Sequence, residues 1–308
     1  MNTATANGIE LAWDSFGESA DVPILLVAGL GTQRIRWMEP FCSELTCLGY
    51  RVIRFDNRDT GGSTHFDAYA PPDFGRLAAE LMAGQRPDVP YTLDDMAADA
   101  IALLDSLGIE RAHVVGRSMG GMIAQVMASE QPSRVLSLTS IMSSTGNPAL
   151  PQATPETLAM MMRPSPDPAA DPEGFLAQRI AFARHIAGRG YPFDEAAQRG
   201  LLTEEVRRGY APNGAARQIA AMAVAGDRRE RLATITAPTL VIHGVEDPLI
   251  PLACGADTAA SIPNAAYMPI DGMGHDLPPE LYRAVARAID GVARRAQSFP
   301  DKGVQAGT

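Results

Sequence analysis

Cysteine is scarce in this sequence: three residues in 308, Cys42, Cys47 and Cys254, an odd number with no C-x-x-C spacing. That argues against a disulfide framework or a paired redox motif, and it points to a cytoplasmic chain with buried thiols. Also missing are a Cys/His cluster with zinc-ligand spacing, a phosphate loop and a dinucleotide fingerprint, so neither metal nor cofactor is expected. No apolar stretch approaches the roughly 20 residues of a membrane-spanning helix, and no charged-then-apolar signal segment opens the sequence. Basic clusters are absent too. With 36 acidic against 26 basic side chains, a formal net charge of −10 and a pI near 5.0, a nucleic-acid partner is not expected. The same acidity favours a neutral or cationic small molecule over an anionic one. Internal repeats are lacking, and nothing indicates an oligomeric state.

What is present is ordinary soluble-enzyme material, 46% hydrophobic and 20% charged, long enough for one large α/β domain with an insertion. Apolar, β-rich runs recur at 9–13, 23–28, 52–55, 113–115, 135–141, 239–243 and 266–269. Helical patterns lie between them. One spans 93–107, with Thr92 as N-cap and Gly108 as its stop; others cover 118–129 and 281–293, and a short one is expected at 74–82. Strand–helix alternation predicts a mostly parallel sheet covered by helices on both faces, with ligands beyond the carboxyl ends of its strands. The alternation breaks between 143 and 231, a stretch rich in Pro, Met and Ala that reads as a helical cap inserted over that edge. This divides the chain into an α/β core at 1–142 and 232–296, a cap at 143–231 and a flexible tail at 297–308. The connection at 65–90 is long for a simple link, as lids and binding loops often are.

Chemistry concentrates at Gly116-Arg117-Ser118-Met119-Gly120, the G-x-S-x-G pattern between an apolar strand and a small-residue helix. In that setting the serine takes a strained turn that exposes its hydroxyl over the positive end of the following helix. A serine hydroxyl needs a base. Of five histidines, His275 lies in the flexible-loop setting Gly272-Met273-Gly274-His275-Asp276, just after a strand. His113 and His243 sit in or at the end of strands and read as structural; His185 falls in the cap. The base in turn needs a carboxylate to fix its tautomer. Asp247, two residues past Val245 after the 239–243 strand, is placed for this, with Glu246, Asp271 and Asp276 as competitors. The order Ser118, Asp247, His275 is that of α/β-hydrolases. For the developing oxyanion, the backbone N–H of Met119 is one expected donor and that of Leu30 the other, with Gly31 as the alternative.

Taken together, these residues resemble the α/β-hydrolase fold family over nearly the whole chain. Leu25-Leu26-Val27-Ala28-Gly29-Leu30-Gly31 is similar to its oxyanion strand and loop, although Ala28 stands where many members carry histidine. The turn Phe55-Asp56-Asn57-Arg58-Asp59-Thr60-Gly61-Gly62-Ser63 resembles the family's Asp-x-Arg turn, with Asp59 where many relatives have glycine. This Arg-Asp-Thr-Gly form, and the segment Gly190-Tyr191-Pro192-Phe193-Asp194, resemble the aclacinomycin methylesterase-like subgroup. The resemblance implies an α/β-hydrolase fold and a serine carboxylesterase acting on a small-molecule ester, with methyl or short-chain esters among the candidates. Serine at 118 argues against relatives with an aspartate nucleophile. The same triad also serves C–C bond hydrolases, lactonases and cofactor-free perhydrolases, and some proteins of this fold are ligand sensors. Met160, Met161, Met162, Phe175 and Phe182 are expected either to line an adaptable apolar pocket or to form the cap's own core. Trp37 and Gln33 follow the oxyanion loop at the pocket's expected border.

Overall fold

The structure, a computed structural model, describes residues 2–297. Its frame is a sheet of eight strands: β1 Asn2–Ala6, β2 Ile9–Phe16, β3 Val22–Val27, β4 Tyr50–Phe55, β5 Ala112–Arg117, β6 Val135–Ile141, β7 Thr239–Gly244 and β8 Ala266–Ile270. The spatial order is β1-β2-β4-β3-β5-β6-β7-β8, parallel from β4 to β8, with β1 and β2 antiparallel at one edge. β7 is buried along its whole length, as a strand covered on both faces must be.

The helices in chain order are α1 Glu39–Thr46, α2 Phe74–Met82, α3 Leu93–Ser106, α4 Met119–Glu130, α5 Pro155–Met162, α6 Pro172–Ile186, α7 Glu195–Arg208, α8 Pro212–Ala225, α9 Arg229–Leu232, α10 Leu252–Ser261 and α11 Tyr282–Gln297. Two cores result, one on each face of the sheet. Leu25, Val27, Phe55 and Val114 pack with Leu103 of α3 and Ile123 of α4; Ile24, Leu26, Val52 and Val115 pack with Phe41 of α1 and Ile289 of α11. Each such aliphatic side chain, fully buried, stabilises the fold by about 1.5–3 kcal/mol. The sheet is thereby pinned on both faces, and only its ends are free to carry chemistry.

Local signals explain the element ends. The Thr92 hydroxyl accepts from the Asp95 N–H while the Asp95 carboxylate accepts from the Thr92 N–H, a reciprocal cap that starts α3. Asp171 and Asp194 cap α6 and α7 in the simpler way, each accepting an N–H three residues on. Between β6 and β7 the chain runs through α5 to α9. Phe175, Leu176 and Ile180 of α6 and Leu202 of α7 form a small core of their own there, whereas Ala221 of α8 belongs to the main core.

Three details differ from the sequence expectation. The N-terminal segment forms β1, joined to β2 by a tight turn in which Asn7 and Gly8 have φ of 51° and 78°. Helix α4 begins at Met119, because Ser118 has φ 54° and ψ −124° and cannot be helical. Helix α11 takes in Gln297, the first residue of the expected tail; 298–308 lie outside the described residues.

Candidate active site

The link from β5 to α4 makes the sharp turn that G-x-S-x-G predicts. A positive φ at a non-glycine residue costs roughly 1–3 kcal/mol and persists only where its surroundings over-determine it. Here they do. Ser118 N–H donates to the Ile141 carbonyl (2.9 Å), and the Ser118 carbonyl accepts from Ser143 Oγ (2.8 Å) and from Gly121 N–H (2.9 Å). Closeness also dictates the residue at 120, where an added Cβ would lie 2.2 Å from the Val27 carbonyl oxygen. Only glycine lets α4 start so near β3.

Three elements then converge on the serine hydroxyl. The loop after β8 carries His275, whose Nε2 lies 3.0 Å from Ser118 Oγ. The loop after β7 carries Asp247, whose Oδ2 lies 2.7 Å from His275 Nδ1. The other oxygen of Asp247 accepts the N–H groups of Leu249 (2.9 Å) and Ile250 (2.8 Å), so the carboxylate is fixed before it meets the ring. With Nδ1–H donated to Asp247, Nε2 presents its lone pair to the serine hydroxyl. Both side chains are nearly excluded from solvent. Of the competing acids, Glu246 is engaged elsewhere, accepting from the N–H and the guanidinium of Arg189, and among the described residues the ring of His275 bonds to Asp247 and Ser118, not to Asp271 or Asp276.

His243 lies behind Asp247, its Nε2 donating to the Ile250 carbonyl at 2.8 Å while standing 3.6 Å from Asp247 Oδ2. Burial pushes its pKa down, so it is a neutral strut for the 247–250 turn. His113 is likewise interior, bonded through Nδ1 to Ser137 Oγ.

The loop after β3 runs directly against the serine, and a Cβ on Gly29 would lie 3.3 Å from that of Ser118. Of the two expected donor candidates in this loop, Leu30 and Gly31, the N–H of Gly31 is taken by Gln218 Oε1 (2.8 Å); the following N–H, of Thr32, goes to the Gly29 carbonyl (3.3 Å). Among the described residues no acceptor takes the N–H of Leu30, nor that of Met119 at the start of α4. Two free donors therefore flank Ser118, as stabilising an oxyanion requires.

Gln218, which no sequence pattern marked, and the 55–63 turn, which the sequence did mark, hold this loop in place. Gln218 of α8 reaches Gly31 with its oxygen and the Arg58 carbonyl and Thr60 hydroxyl with its nitrogen. Asp56 grips the backbone N–H of Arg34 (2.6 Å) and its guanidinium (2.5 Å). Asp59 has φ 65° and accepts from Arg217 (2.7 and 2.8 Å), from Tyr91 OH (2.6 Å) and from Phe66 N–H (2.8 Å). Burial alone would raise its pKa, but these bonds prevail and hold the carboxyl below its usual range. The aspartate at that position therefore serves as the anchor for α8. Trp37 is buried against Phe41, and Gln33 bonds to the end of α7 through the Glu205 and Gly209 carbonyls. The segment after α6 touches the histidine loop, with His275 N–H donating to the Ile186 carbonyl (2.7 Å) and Gly190 N–H to that of Gly272 (3.0 Å).

Comparison with known proteins agrees with this architecture. Residues 22–185 match the α/β hydrolase fold family. The chain is similar to rhodomycin D methylesterase DauP of Streptomyces sp. strain C5, at 32% identity over 95% of this chain and 97% of that one. Rhodomycin D methylesterase DnrP of Streptomyces peucetius is 31% identical with the same coverage. Among solved structures, the enol-lactonase from Burkholderia xenovorans LB400 superimposes with a TM-score of 0.68 at 24% identity, covering 97% of this chain and 100% of that one. On its sheet order, its sequence relatives and its structural likeness, the chain belongs to the α/β-hydrolase fold family.

Proposed function

We propose that this protein is a serine carboxylesterase in which Ser118 is the nucleophile, His275 the general base and Asp247 the residue that orients it. The observation that carries this reading is the unbroken chain from Asp247 through His275 to the strained Ser118, with two unengaged backbone N–H groups beside it. His275 Nε2 takes the hydroxyl proton as Ser118 Oγ attacks the ester carbonyl. The imidazolium so formed is stabilised by Asp247. The N–H groups of Leu30 and Met119 receive the negative oxygen of the tetrahedral intermediate. His275 gives its proton to the departing alcohol, then activates the water that releases the acid from the acyl-enzyme. No step calls for a metal or cofactor.

The likeness to two rhodomycin D methylesterases supports methyl esters as one substrate class. Residues 143–231 act in this reading as a cap above the nucleophile, supported by the bonds from their helices to the 29–34 and 272–275 loops. No helix among the described residues is long and apolar enough to cross a membrane. Cys42, Cys47 and Cys254 are free thiols, which supports work in the cytoplasm; Cys42 and Cys254 are buried as expected, whereas Cys47, just past the end of α1, is exposed and corrects that expectation.

Hydrolysis of p-nitrophenyl esters from acetate to dodecanoate, with Ser118→Ala alongside, tests the reading. Turnover is expected in the parent and is expected to fall by several orders of magnitude in the variant, with the melting temperature retained. Equal turnover by both proteins removes Ser118 from the mechanism.

A further inference from the structure

The link between α6 and α7, residues 187–194, crosses the 272–275 loop with backbone against backbone. His275 N–H donates to the Ile186 carbonyl at 2.7 Å, and Gly190 N–H donates to the Gly272 carbonyl at 3.0 Å. Tyr191 follows, its hydroxyl 3.4 Å from the Asp271 carbonyl and its ring packed on the core group that includes Met273. This contact leaves no space for side chains. A Cβ on Gly190 would lie 2.6 Å from Gly272 Cα, and one on Gly188 would overlap the Gly272 carbonyl and the Gly274 N–H. The atoms in the way are backbone, so they cannot swing aside as a side chain does, and only glycine permits the approach.

The same link reaches the loop that carries Asp247. Arg189 donates through its backbone N–H and its Nε to one oxygen of Glu246, at 2.9 and 3.1 Å. Glu246 N–H donates in turn to the Met273 carbonyl at 3.0 Å. The link, the 272–275 loop and the loop after β7 are thus tied to one another at every step. A loop built on Gly272-Met273-Gly274 has little stiffness of its own, because glycine restricts the chain least. His275 Nε2 must nevertheless stay in reach of Ser118 Oγ, and a misplacement of about 1 Å can cost about 100-fold in rate. The stiffness comes from outside the loop. The segment Gly190-Tyr191-Pro192-Phe193-Asp194 divides accordingly: Gly190 and Tyr191 meet the histidine loop, whereas Phe193 packs on the α6–α7 core and Asp194 caps α7.

We propose that the 186–191 segment sets the position of His275, with Gly188 and Gly190 as its positioning residues: backbone bonds from the α6–α7 link fix where the imidazole stands, and a side chain at either glycine displaces it. The proposal rests on the esterase reading of the same site. A displaced imidazole costs most where it must deliver a proton. An alkoxide leaves only as His275 protonates it, whereas p-nitrophenoxide departs without that help.

The test measures kcat/KM for the methyl and the p-nitrophenyl ester of one acid in the parent, in Gly188→Ala and in Gly200→Ala, the last a glycine of α7 whose added Cβ would meet nothing. Gly188→Ala is expected to lose about 100-fold on the methyl ester but only about 10-fold on the p-nitrophenyl ester, and Gly200→Ala to match the parent. A merely structural role reduces the amount of active protein and scales both esters alike, so equal losses, or none, overturn the proposal and leave the esterase standing. Should Gly188→Ala not fold, Glu246→Ala takes its place, since it releases Arg189 at a partly exposed site. Its expected change in the ratio is about two- to five-fold, and an unchanged ratio overturns the proposal. A parent that hydrolyses no ester fails the esterase reading instead. Wherever either ester rate is missing, labelling by an alkyl fluorophosphonate decides the positioning role separately: Ser118 Oγ bonds to phosphorus, fluoride leaves and the serine proton passes to His275. A rate constant lower in the chosen variant than in Gly200→Ala supports the proposal; equal constants, or no labelling of the parent, overturn it.

Discussion

At the scale of single residues, Asp247 in the proposed mechanism acts through what it does to a neighbour, His275. Its carboxylate holds the proton of His275 on Nδ1, and an amide there can present an N–H and force the opposite tautomer. Asp247→Asn is therefore expected to lower kcat by about 10^3- to 10^4-fold with a small change in KM, measured on whichever p-nitrophenyl ester the parent hydrolyses best. A loss confined to KM would show that Asp247 holds substrate rather than the base. Ser118, Asp247 and His275 were legible as candidates because each follows a β-run and carries its own local signature. Leu30 was preferred to Gly31 on sequence, and a physical reason lies in Gln218, which occupies the Gly31 N–H. That contact joins residues 187 apart, beyond the reach of any spacing argument.

Among the elements, helix α8 is the one whose attachment reaches the site. It meets the Asp56–Thr60 turn through the Arg217–Asp59 pair, both side chains about 1% exposed, and the 29–32 loop through Gln218. Arg217→Met leaves Asp59 buried without its partner and is expected to cost about 3–5 kcal/mol of stability, read from urea unfolding. Replacing both, Asp59→Asn with Arg217→Met, is expected to cost less than the single change, because no bare charge remains. A double variant less stable than the single one would show that packing rather than charge anchors the helix. The strand–helix alternation made most core elements legible. β1 escaped because Asn2–Ala6 has too little apolar content to read as a strand, yet Asn7-Gly8, a favoured hairpin turn, was the available signal. Of the residues weighed as pocket or cap core, Phe175 packs inside the small α6–α7 core, whereas Met162 is half exposed. Composition could not separate these outcomes, because both use the same apolar side chains.

For the molecule as a whole, the two-faced core fixes how stability responds to acid. His113 lies at no measurable exposure between the sheet and its cover, with Nδ1 on Ser137 and Nε2 without a partner. Burial lowers its pKa from 6.5 to about 4. In the unfolded chain the same ring protonates near its ordinary value, so between about pH 6.5 and pH 4 the unfolded state binds the extra proton. Stability must then rise with pH across that window and fall as the solution is acidified. His243, whose pKa is also lowered chiefly by burial, adds to the slope in the same direction. The contribution of His113 is on the order of 3 kcal/mol when the window is fully crossed. Urea unfolding of the parent and of His113→Asn at pH 4.5, 5.5 and 7 measures it. The variant is expected to be less stable at pH 7, where it gives up a well-packed ring, but to lose less on acidification. Parallel losses in the two proteins would mean that His113 titrates alike in the folded and unfolded chain, and that the acid sensitivity of the molecule comes from other groups.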